Sequence, residues 1–99
     1  MEKITNETDN IILERLSIII DLMITILGCS YSDAYNIITK SKTYYYLKQK
    51  DYSTLHDSPQ ANLSSIGIEL REQNIPIGQK ITDENIKKAM ISMIHLNQV

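Results

Sequence analysis

The sequence predicts a single compact all-α domain of four to five helices spanning residues 1–99, and three observations carry that prediction. Apolar residues recur at three- and four-residue steps through each long stretch, the period of one helix face. Ser, Thr, Gly and Pro stand between those stretches, where helices start and stop. Ninety-nine residues suffice for one modest core. That core is aliphatic, because the chain has eighteen isoleucines and neither Phe nor Trp. Isoleucine is stiff at χ1 and mildly unfavourable in helices, so spacing identifies the helices here and propensity does not.

The first helix is expected to begin at a Thr5 or Asn6 cap, with Glu7 and Asp9 in its positive first turn and residues 1–8 frayed. From Ile11 to Leu27 the polar residues Glu14, Ser17, Asp21 and Thr25 form one narrow stripe, and apolar side chains cover the rest. Such a helix is the centre of the domain, half of a subunit interface, or both. Gly28 is a left-handed terminator. Ser30-x-x-Asp33 resembles a capping box and opens a second helix whose inward face is Ala34, Tyr35, Ile37 and Ile38.

Ser41 or Thr43 restarts a short third helix with Tyr44 and Leu47 on one side, and residues 51–57 read as a loop or single turn. Ser58-Pro59 pairs a cap with a first-turn proline, opening a helix lined by Leu63, Ile66, Gly67 and Leu70. Gly67 in mid-helix marks the close approach of a neighbour. Residues 73–81 form an irregular connector, with a short strand over Ile75–Ile81 as the alternative. Thr82 caps a C-terminal helix over 82–97, with Ile86, Ala89, Met90, Met93 and Ile94 inward and Lys87 and Lys88 opposite.

Charge is unevenly distributed. Residues 1–39 hold six acids and two bases, residues 40–50 four lysines and no acid, and residues 51–99 six acids and four bases, for a net charge of −2. A mildly acidic whole argues against general nucleic-acid binding. The apolar run Ile18–Leu27 is about half the length a membrane span needs, and the polar N-terminus does not read as a signal peptide, so a cytoplasmic protein without membrane contact is expected. Cys29 is the lone cysteine, which excludes an intrachain disulfide and suits a reducing compartment.

Catalytic chemistry finds little footing. His95 lies in the last helical turn, where a cation suits the helix dipole. His56 stands beside Asp57, but no serine or cysteine nucleophile falls in a nucleophile motif. Cys29 follows a helix end, the wrong side for a reactive thiolate. One Cys and two distant His match no zinc spacing, and the three glycines are too far apart to cradle phosphate. No catalytic residue, metal or cofactor is therefore expected.

Two binding readings stand. Residues 16–40 outline a helix-turn-helix, making a small DNA-binding transcriptional regulator the alternative. Its second helix carries Asp33 and Asn36 but no Arg, with Lys40, Lys42 and Lys50 nearby as candidate phosphate contacts. The favoured reading rests on residues 40–57, which hold four of the six tyrosines and four of the ten basic residues. Consecutive helical residues point about 100° apart, so Tyr44, Tyr45 and Tyr46 do not all fit one core. Tyrosines beside cations are typical interface anchors. Tyr44, Tyr45, Tyr46, Lys48, Tyr52 and His56 are the candidate partner-binding residues.

Tyr46-Leu47, Tyr52-x-x-Leu55-His56, Ser58 and Ile66-x-x-x-Leu70 carry a resemblance over Ser32–Glu72. The stretch resembles a small, uncharacterised bacterial family of helical proteins often encoded beside ADP-ribosyltransferase-like toxins. The resemblance implies an antitoxin-like or accessory binding role. The favoured reading is a bacterial or phage-borne protein that binds a protein partner, such as a toxin or defence enzyme, its acidity suiting occlusion of a basic site. The helix after Pro76 departs from that family's pattern. It is expected to close the core or supply a dimer contact, and homodimerisation is expected through the isoleucine-rich first helix or the Met90/Met93 stripe.

Overall fold

The computed structural model describes the backbone of residues 2–49 and 52–98 and the side chains of residues 9–49 and 54–95. Among the described residues the chain forms α1 (Glu2–Leu27), α2 (Tyr31–Thr39), α3 (Lys42–Lys48), α4 (Tyr52–His56), α5 (Pro59–Glu72) and α6 (Asp83–Gln98), with a 3-10 turn over Pro76–Gln79. The all-α expectation holds, with six α-helices in place of four to five. The extra helix is α4, where a loop or single turn was expected. The connector coils into a 3-10 turn in place of the alternative strand, because Pro76 fixes φ at a helical value and the described residues offer no other strand for it to pair with.

α1 and α5 are the two helices on which the others rest, apart from α4, which packs against α3. α1 packs against α2, α5 and α6, and α5 also meets α3, α6 and the 3-10 turn. Their shared interior is Leu16, Ile19, Ile20 and Met23 from α1 with Leu63, Ile66 and Leu70 from α5. α2 adds Ala34 and Ile38, α3 adds Leu47, and α6 adds Ile86 and Ala89. Branched aliphatic side chains fill this interior, and it needs no large aromatic ring.

Most helix ends fall where the sequence places them. Gly28 has φ +67°, the left-handed conformation that ends α1. The hydroxyls of Ser30, Ser41 and Ser58 accept from the N–H groups of Asp33, Tyr44 and Ala61, each three residues on. Thr82 does the same for Asn85. α5 stops in a Schellman motif: Ile75 N–H reaches the Leu70 carbonyl and Asn74 N–H that of Arg71, with Asn74 at φ 59°. The start of α1 is different, since the helix runs from Glu2 and takes in the Thr5 and Asn6 positions expected to cap it.

Two expected inward residues face out. Tyr35 is exposed because α2 buries only Ala34 and Ile38, with Ile37 half-buried. Ile94 is exposed because α6 meets the body along Ile86, Ala89 and the half-buried Met90 and Met93, a narrower stripe than the apolar pattern allows. Gly67 is explained by its neighbour. A Cβ there would run into the Ile81 carbonyl, and the Ile81 Cγ2 would lie 2.9 Å away. The connector crosses α5 at backbone contact and is fastened by Arg71, whose Nη1 donates to the carbonyls of Gly78 (2.8 Å) and Ile81 (2.7 Å).

Candidate partner-binding surface

α3 is seven residues long, too short to be stable alone, so its position depends on what holds it. Leu47 is fully buried and Tyr44 half-buried against the core. The other anchor is Glu69 of α5. One of its carboxylate oxygens accepts from Lys42 N–H (2.7 Å), the other from Thr43 N–H (3.1 Å) and the Thr43 hydroxyl (2.6 Å). With the Ser41 hydroxyl on Tyr44 N–H, all three first-turn donors of α3 have side-chain partners. An acid at a helix N-terminus also suits the dipole. Glu69 thus bolts α3 onto α5.

The side chains left over make the surface. Tyr45 is 60% and Tyr46 49% exposed, and their rings meet edge to face at 5.7 Å and 71°. Lys42 and Lys48 are both exposed, about 120° apart around α3 with Tyr45 between them. The Lys48 ammonium lies 5.8 Å from the centre of the Tyr44 ring, within cation–π range. The sequence reading expected at least one ring of the triplet in solvent; two are, and Tyr44 is the one that packs.

A shallow groove of about 300 Å³ runs beside Tyr46 between α3 and α5. It is lined by Lys42 and Tyr46 from α3, Thr54 from α4 and Asn62, Ser65 and Ile68 from α5, together with Asp57. That volume is at the small end of ligand sites and admits one long side chain. Asn62 is buried, its Nδ2 donating to the Thr54 carbonyl and its Oδ1 accepting from Arg15, which ties α1, α4 and α5 together under the groove.

The remaining candidates are placed less compactly. His56 is exposed at the end of α4, and the Tyr52 side chain and Lys50 lie outside the described residues. Lys40 opens onto a different cleft, of about 210 Å³, whose apolar walls include Ile37, Leu70, Ile75 and Ile77. Lys40 and Lys42 therefore do not line one site. The helix-turn-helix outline is present as α1, Gly28 and α2, but α2 turns Tyr31, Asp33, Tyr35 and Asn36 outward, with no cation between its caps.

Glu69 and Ile68 are the residues that sequence reasoning missed. Ile68 carried a signal, since it falls on the side of α5 opposite Leu63, Ile66 and Leu70 and so had to be exposed. Glu69 carried none, because its partners are 26 and 27 residues away. Among the described residues no three His, Cys, Asp or Glu side chains are grouped to hold a metal ion, and no helix is long and apolar enough to cross a membrane. Comparison with known proteins gives no match among family models, curated proteins or solved structures.

Proposed function

We propose that this chain is a non-catalytic protein-binding module that acts as an antitoxin-like inhibitor of a toxin or defence enzyme. The observation that carries the reading is the Tyr45–Tyr46 pair: two touching rings, both about half in solvent, on a helix whose packing is already supplied by Thr43 and Leu47. Folding does not require these rings at the surface. Partly exposed tyrosines bring large apolar area at low entropic cost, together with a hydroxyl for the rim of a contact. Lys42, Lys48 and the neighbouring groove would add polar register around them.

The resemblance over Ser32–Glu72 supports the class of partner, and the module would work by covering its active face. Co-expression with the product of the adjacent gene, followed by affinity purification, tests the proposal. Tyr45→Ala and Tyr46→Ala should abolish co-purification while the helical circular dichroism stays unchanged. Undiminished co-purification with both variants would overturn it.

A further inference from the structure

The charge asymmetry of the chain survives folding as two separate surfaces. On α1, Ile11 (45% exposed) and Ile18 (38% exposed) alternate with Glu14 and Asp21 along one solvent-facing stripe. Neither carboxylate is paired among the described residues. On α3, the exposed Tyr45 and Tyr46 stand between Lys42 and Lys48, whose ammonium groups have no carboxylate partner there either. Both surfaces mix exposed apolar side chains with unpaired charge, and the charges are opposite in sign.

We infer that the α1 stripe of one copy docks on the α3 surface of a second, in a head-to-tail contact. The signs of charge select this geometry. A twofold contact of α1 on α1 sets acid against acid, and α3 on α3 sets ammonium against ammonium. Only α1 on α3 pairs Glu14 and Asp21 with Lys42 and Lys48 while Ile11 and Ile18 meet the tyrosine rings. Such a contact is heterologous, leaving a free α1 stripe at one end of any pair and a free α3 surface at the other. The stripe from Ile11 to Asp21 is about 15 Å long, so the contact is small, weak and sensitive to salt. The inference rests on the α3 surface being a contact surface, as proposed above, and adds an occupant that the chain itself supplies in competition with a foreign partner.

Sedimentation equilibrium of the full chain tests it. At low salt the mean mass should rise with concentration beyond that of a dimer, and about 0.5 M salt should return it to monomer. Glu14→Lys/Asp21→Lys and Tyr45→Ala/Lys48→Glu should each be monomeric alone with unchanged helical content. Mixed, they should form a 1:1 pair and stop, because one variant keeps an intact α3 surface and the other an intact α1 stripe. Should either double variant lose helical signal, Ile18→Ser or Tyr45→Ser takes its place.

A wild-type chain monomeric at every concentration, or a variant mixture that does not pair, overturns the inference. If such a chain still loses its foreign partner through Tyr45→Ala, the proposed function stands without it. Pairing as described, with the foreign partner retained by both Tyr45→Ala and Tyr46→Ala, supports the inference and overturns the proposed function.

Discussion

α3 and the connector after α5 are both short segments held to the same helix, yet they are held in opposite ways. The connector lies at backbone contact: Gly67 and Gly78 leave no room for a Cβ, and Arg71 takes the carbonyls of Gly78 and Ile81. α3 is held at its first turn by Glu69 and at its last by Leu47, with two tyrosine rings facing water. The first arrangement excludes water from the core. The second positions side chains that the core does not use. A charged residue of α5 satisfies backbone groups in both, a guanidinium for carbonyls in one and a carboxylate for amides in the other.

Substitutions can break this contrast at either end. The largest effect is expected at Gly67. Gly→Ala in an open helix stabilises by about 1 kcal/mol, but here the new Cβ meets the Ile81 backbone, and overpacking of this kind costs about 1–3 kcal/mol. Because the clashing atom is a backbone carbonyl, the upper end of that range applies, and after the helix gain Gly67→Ala should destabilise by a net of about 2 kcal/mol, read as a lower urea midpoint; a gain in stability would mean that the connector is not seated against α5.

Glu69→Gln should come next. It keeps one acceptor and loses the other, leaving the buried Thr43 short of a partner at a cost of about 1–2 kcal/mol by chemical denaturation. No loss would show that water serves the first turn of α3 equally well. Tyr45→Ala is the smallest. A side chain exposed to this degree should change stability by no more than about 0.5 kcal/mol, and a larger loss would move Tyr45 from the presenting surface to the fold.

The elements legible in the sequence are those written locally. Ser30, Ser41, Ser58 and Thr82 cap helices because a side-chain oxygen three residues before an N–H can reach it. Gly67 was legible as a close approach because glycine in mid-helix needs a reason, although the sequence does not say that Ile81 is the neighbour. The misassigned faces have one cause. Apolar spacing gives the direction of a helix face but not its width, and width depends on how many neighbours the helix meets. α2 and α6 meet few, which leaves Tyr35 and Ile94 outside. At the candidate surface, helix geometry alone required at least one exposed ring; that two face water depends on which side of α3 meets the core. The support from Glu69 depends on tertiary pairing, which no local pattern records.

The last turn of α5 places Glu69 and Arg71 two residues apart, one fastening α3 and the other the connector. Fraying of that single turn releases both attachments together. The platform carrying the tyrosines and the lid over Gly67 then belong to one cooperative opening unit, with a common protection against amide exchange. A partner that clamps α3 would in this way slow solvent entry at Ile81, on a segment it never touches.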